Sequence, residues 1–167
     1  MPDLFTYAGN IESLVDLQHQ GNVACERADG CDRATVSALL DRGRPRGLVH
    51  FTAESHVGRS IDAPLAVVRT NVWSAFELLE SARTYFAPRC AADTVAFRFP
   101  HVSRDELFGS LGPNEAAFKE MDSYTPSSLY AASKEASDHF VHAWHHTGAL
   151  PALTTNYSNN YGPHQFP

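Results

Sequence analysis

Apolar and polar positions fall into blocks that predict strands separated by helices. Three short segments read as buried strands: RGLVHFTA at 46–53, TVAFRFPHV at 94–102 and LPALTTN at 150–156. Each is apolar or β-branched and flanked by Gly, Pro or polar residues. Between them the period lengthens. Leu65, Val68, Val72, Phe76 and Leu79 recur at three- or four-residue spacing and predict one apolar helix stripe across 64–85. A second helix is predicted over 127–147, with Ser133, Ser137, Phe140, Val141 and Trp144 inward and Gly148 as its stop. RATVSALLDRG at 33–43 predicts a shorter helix, and 110–128 a long loop of the kind that often carries function. Strands alternating with helices predict an α/β fold, a parallel sheet covered on both faces.

Composition narrows the setting. The 167 residues are 43% hydrophobic and 19% charged, ordinary for a soluble globular domain. No apolar run approaches the roughly 18 residues of a membrane span. The opening MPDLFTYAGN lacks the basic start and apolar stretch of a signal peptide. Cys25, Cys31 and Cys90 show no CxxC spacing, so free thiols and a cytoplasmic location are expected. A net charge of −6 with scattered Lys and Arg argues against nucleic acid as partner, while leaving room for an anionic small molecule.

The polar clusters ESHVGRS, SRDE and NYSNN each follow one predicted strand. Carboxyl ends of parallel strands are where open α/β sheets bind ligands. Beside them stands SSLYAASKEASDH, which sets Tyr130 and Lys134 four places apart on one helix face. An ammonium near a phenol lowers its pKa, and a phenolate can take a proton from a hydroxyl as hydride leaves the same carbon. The commoner meaning of such a pair is a solvated face, and of Asp105-Glu106 a solvated turn. Adjacent carboxyls in different environments can nevertheless serve as one acid and one base. His139, His142, His145 and His146 cluster on the same predicted helix. His142 and His146 have metal-compatible spacing, but no acidic partner completes a site. A basic helix end facing the macrodipole is the simpler account, and no metal is expected. Trp144 reads as core.

With these residues stand YAASKEASDHFVHAWHHTGALPALTTNYSNNYGPHQFP, HFTAESHVGRSIDAP, HVSRDELFGSL and TYAGNIESL. In that combination and order the chain resembles the extended short-chain dehydrogenase/reductase family, and within it the nucleotide-sugar 4,6-dehydratases. The resemblance covers nearly the whole chain. It implies a Rossmann-like doubly wound parallel sheet, bound NAD, and dTDP-glucose or a similar nucleotide sugar as substrate. It implies that Tyr130 is the base for oxidation at sugar C4 and that Lys134 holds the nicotinamide ribose. Glu106 would remove the C5 proton and Asp105 protonate the departing C6 hydroxyl. It further implies cofactor contacts from Asp3, Asp29, Gly30, Phe51, Thr52, Ala53, Glu54, Ser55, Thr70 and Asn160, and substrate contacts from Ser55, Arg104 and Asn159. A homodimer, a cytoplasmic location and a role in deoxysugar supply are its remaining implications. Epimerases of the family keep the Tyr-Lys pair but lack the Asp-Glu pair, so dehydration leads over epimerisation.

The chain departs from the family pattern in three places. No G-x-G-x-x-G turn occurs in it. The family's first βα unit and C-terminal substrate domain have no counterpart in these residues, so residues 1–167 are expected to form a partial NAD-binding Rossmann-like domain that by itself binds NAD weakly and does not turn over. Arg104 replaces a threonine that contacts the sugar in the family, placing a cation beside Asp105 and Glu106. The alternatives are a non-catalytic or decayed relative that binds only a nucleotide or a partner subunit, and another nucleotide-sugar dehydratase or epimerase.

Overall fold

Helix formation begins where a side chain satisfies the first free N–H groups. Asp32 Oδ1 accepts from the backbone N–H of Ala34 and Thr35, at 3.1 and 3.3 Å, and starts α2 (Arg33–Gly43). The helix ends at Arg44 in the left-handed conformation, φ 42°, at the boundaries the sequence predicts. The computed structural model describes residues 1–6, 9–18, 21–54, 57–88 and 97–162.

Two parallel two-stranded sheets are present among these residues. β1 (Pro2–Asp3) pairs with β2 (Glu26–Arg27), the short helix α1 (Val15–Gln18) lying between them in sequence. β3 (Phe99–Arg104) pairs with β4 (Ala152–Tyr157) in register from Phe99–Ala152 to Arg104–Tyr157. The predicted strand at 46–53 is instead a segment bridged at Gly47 to Arg98, just before β3, and at His50 to His101 of β3. Its ladder bonds run from Arg98 N–H to Arg46 O, 3.1 Å, to Val102 N–H to His50 O, 3.0 Å. The bonds to β3 extend no further than His50, so 51–53 lie past the ladder. The order is therefore segment 46–50, β3, β4, with Val49 and Phe51 exposed. β3 runs two residues beyond the predicted end at Val102, while 94–96 lie outside the described residues.

The predicted helix over 64–85 is one run of three pieces: α4 (Pro64–Val67), a π-helical stretch Val68–Trp73, and α5 (Ser74–Phe86). It follows α3 (Val57–Asp62). Pro64 occupies the first helical position, where its missing N–H removes nothing. The predicted stripe is corrected here. Leu79 is buried, but Leu65 and Val68 are exposed, and the inward face is Val67, Asn71, Ser74, Ala75, Leu78 and Ala82. Two causes act: the π stretch shifts the helical register, and Asn71 turns inward to hydrogen-bond the last helix.

That last helix, α6 (Leu129–Gly148), is capped by Ser128 Oγ, which accepts from Ala131 N–H at 3.0 Å. Gly148 is its last residue and Ala149, φ 50°, takes the left-handed position. The core joins Val36 and Leu40 of α2, Leu78, Leu79, Ala82 and Tyr85 of α5, Phe97, Phe99, Val141 and Leu150. Trp144 and Phe140 pack against its rim, partly buried. Among the described residues no helix is long and apolar enough to cross a membrane, and Cys25 and Cys31 are free; Cys90 lies outside them.

Candidate active site

The Ser128 cap sets the phase of α6, so Tyr130, Lys134 and Asp138 recur on one face at four-residue intervals, all buried. Lys134 is 2% exposed and its Nζ donates to Val102 O of β3 at 2.7 Å. Burial brings its pKa down to about 8; Asp138 pulls it up and Arg104 pushes it down further. Tyr130 behaves otherwise than the helix spacing predicts. Burial raises its phenol above the usual 10, Arg104 pulls it down and Glu106 pushes it up. The cation acting on the phenol is thus Arg104, because Lys134 turns to the Val102 carbonyl.

β3 delivers the acid/base pair. After Arg104 the chain enters a 3-10 turn, Asp105–Phe108, whose Leu107 and Phe108 are buried. The loop from 109 to 128 clamps it: Thr125 N–H donates to Leu107 O at 2.8 Å and Thr125 Oγ1 to Phe108 O at 2.6 Å. Gly109 permits this clamp, since its φ is 103° and a Cβ there would lie 2.6 Å from Thr125 Oγ1. Asp105 and Glu106 are left partly exposed. Arg104 Nη2 lies 3.1 Å from Glu106 Oε1 and also donates to Asn159 Oδ1 beyond β4. The cation expected to disturb the pair therefore engages Glu106 directly. Asn160 follows, exposed.

The residues assigned to the cofactor form a strip along the same strand ends. Asp3 ends β1 and accepts from Phe5 N–H at 2.6 Å. Asp29 follows β2, accepts from Cys31 N–H at 2.8 Å and lies 3.7 Å from Arg69 Nη2. A Cβ on Gly30 would stand 3.5 Å from Ser74 Cβ and 3.9 Å from Thr52 Oγ1, so this turn packs against both Thr52 and α5. Phe51 is 71% exposed, Thr52 is exposed, and Ala53 and Glu54 are partly buried. Thr70 is partly buried in the π stretch, and its carbonyl accepts from Ser74 Oγ. Ser55 lies outside the described residues.

Sequence reasoning missed Asn71. It is 1% exposed, accepts from Glu54 N–H at 2.8 Å and donates to Ser133 Oγ at 2.8 Å, joining the strip to α6. Its signal was a polar residue on the inner face of an otherwise apolar helix pattern.

The donor set suits a dinucleotide at both ends. Two carboxylates, Asp3 and Asp29, stand at adjacent strand ends, Phe51 is exposed beyond segment 46–50, and an ammonium and a phenol are buried on α6.

Known proteins resemble this chain in sequence and in fold. The model of the GDP-mannose 4,6 dehydratase family matches residues 3–167. The chain is 46% identical over 165 residues to a dTDP-glucose 4,6-dehydratase of Neisseria gonorrhoeae, covering 99% of this chain and 48% of the relative. A dTDP-glucose 4,6-dehydratase of Streptomyces venezuelae, solved with NAD bound, superposes with TM-score 0.85 at 35% identity, covering 98% of this chain and 47% of that one. A UDP-glucose 4-epimerase of Thermus thermophilus, solved with NAD, gives 0.83 at 26% identity, over 99% and 49%. The chain spans about half the length of the curated relatives it matches.

Proposed function

The chain belongs to the GDP-mannose 4,6 dehydratase family, and we propose that it carries the cofactor strip and the reactive groups of a dTDP-glucose 4,6-dehydratase. The reaction converts dTDP-glucose to dTDP-4-keto-6-deoxyglucose. NAD, when bound, would supply the hydride acceptor for sugar C4 and the hydride donor for C6. Asp3 and Asp29 would hold its adenosine ribose and adenine end beside Gly30. Phe51 to Glu54 would pass under it, Ser55, Thr70 and Asn160 would add contacts, and Lys134 would hold the nicotinamide ribose.

Tyr130, as phenolate, takes the C4 hydroxyl proton. Its pKa is raised by burial even with the Arg104 charge nearby, so a further positive charge, such as that of the bound cofactor, would favour its ionisation. Glu106 takes the C5 proton, acidified by the new C4 ketone. Asp105 gives a proton to the C6 hydroxyl, which leaves as water. Glu106 then returns its proton to C5 as C6 is reduced. Ser55, Asn159 and Arg104 would touch the sugar.

One observation carries this reading: Lys134 Nζ bonds the Val102 carbonyl of the strand that leads into Asp105 and Glu106, so the groups assigned to oxidation and elimination meet at one strand end. A 4-epimerase needs no such acid/base pair. The homodimer is supported by exposed Ile61, Leu65, Val68 and Trp73 on α3, α4 and the π stretch. Residues 1–167 would form one partial NAD-binding domain, working in the cytoplasm in deoxysugar biosynthesis.

To test the activity, the chain is grafted onto the remaining half of the Neisseria relative, so that both parts of the site are present. The graft is expected to form the 4-keto-6-deoxy product. Tyr130→Phe is expected to slow it by about 10²–10⁴-fold. Equal rates for the two would overturn the assignment.

A further inference from the structure

Beneath Tyr130 and Lys134 runs a buried polar chain that the proposed chemistry leaves unused. Asp138, 5% exposed, accepts on Oδ2 from Ser103 Oγ of β3 at 2.9 Å and from the Tyr124 hydroxyl of the 109–128 loop at 3.1 Å. His101 Nε2 lies 3.2 Å from Asp138 Oδ1, and His101 Nδ1 lies 2.8 Å from His50 Nδ1. Both rings are essentially inaccessible.

The proton positions follow from chemistry. Between two facing Nδ1 atoms one must donate and the other accept. If His101 Nδ1 donated, its bare Nε2 lone pair would face a carboxylate. The favourable arrangement places the proton of His101 on Nε2, toward Asp138, and lets His50 Nδ1 donate. Asp138 thus receives its donors from β3 and the loop, and through His101 is linked to segment 46–50.

A buried ammonium loses its proton unless a counter-charge holds it. Acting on Lys134 or acted on by it are Asp138 on its own helix, Arg104 and His101 on β3, and His50 on segment 46–50. Arg104 opposes the lysine's charge, Asp138 favours it, and the lysine's charge in turn disfavours protonation of the two histidines. Asp138 sits one turn along the same helix. We propose that Asp138 is the positioning residue of this site: its carboxylate keeps the Lys134 ammonium charged and, through Ser103, Tyr124 and His101, locks α6 to the strand and loop that carry Asp105 and Glu106. The inference deepens the reading of Tyr130 and Lys134 as the oxidation pair and rests on it for its functional meaning.

The test is the titration of Lys134 itself, followed by the 13Cε resonance in the 167-residue chain. Asp138→Asn is expected to lower the midpoint below the wild-type value of about 8, and Asp138→Glu to restore it. A wild-type midpoint in the Asp138→Asn variant overturns the proposal. Ser103→Ala and Tyr124→Phe decide the question even where Asp138→Asn prevents folding. Each removes a neutral donor and keeps the carboxylate, whose less satisfied charge should act more strongly on Lys134 and raise its midpoint. An unchanged or lowered midpoint in both would overturn the proposal. The titration needs neither cofactor nor sugar. Failure of the Tyr130→Phe test therefore leaves it standing, and an unmoved Lys134 leaves the catalytic assignment standing.

Discussion

Replacing Lys134 by Met separates what this lysine does for folding from what it does for chemistry. The side chain is 2% exposed, its ordinary pKa is 10.5, and burial holds it at about 8 in the folded protein. At about 1.4 kcal/mol per pH unit, keeping it charged at neutral pH opposes folding by about 3 kcal/mol. Met fills similar volume without a charge. Against that gain, the Val102 carbonyl loses its 2.7 Å donor, which costs about 1–3 kcal/mol. The two nearly offset, so Lys134→Met is expected to be neutral to slightly stabilising at pH 7. The sign with pH is firmer. Between about 8 and 10.5 the unfolded wild type binds the proton and the folded one does not, so wild-type stability rises with pH relative to the Met variant. Urea unfolding of both proteins across that interval should show the stability of the Met variant relative to the wild type falling by about 3 kcal/mol, since groups common to both cancel. A stability gap that stays constant with pH would refute the reasoning, as would a Met variant destabilised by far more than the lost hydrogen bond at neutral pH.

Arg104→Thr removes the cation that contacts Glu106 and Asn159 and acts on Tyr130. In the graft it is expected to speed elimination, read as product formed per oxidised sugar, and to raise the apparent pKa of the oxidation step. Equal or better elimination with Arg104 in place would mean that the pocket has adapted to it. Acidification should destabilise the chain through His50 and His101, whose folded pKa values lie below the usual 6.5 because burial disfavours their charge, Asp138 partly opposing this at His101. Their contribution is complete above about pH 6.5 and is lost as the pH falls through the folded values; urea midpoints that do not fall between neutral and mildly acidic pH would contradict neutral burial.

What the sequence made legible follows from which forces are local. The bounds of α2 could be read because Asp32 caps it through its own neighbours, two and three residues on. The Tyr130–Lys134 pair could be placed on one face because helix geometry fixes that spacing, and Asp105 and Glu106 could be set at a strand end because β3 carries its own pattern of burial. The errors arose where partners distant in sequence decide. Leu65 and Val68 match an inward stripe, yet Asn71 and Ser74 displace them, since Asn71 finds Glu54 on one side and Ser133 on the other, 17 and 62 residues away. Tyr130 was expected to feel Lys134 because four-residue neighbours usually meet. Val102, 32 residues earlier, takes the lysine instead, and Arg104 becomes the cation that acts on the phenol. Asp138 drew no attention in the sequence for the same reason. Its donors come from Ser103 and Tyr124, 35 and 14 residues away, and only the fold turns that carboxylate into a counter-charge for a lysine one turn behind it.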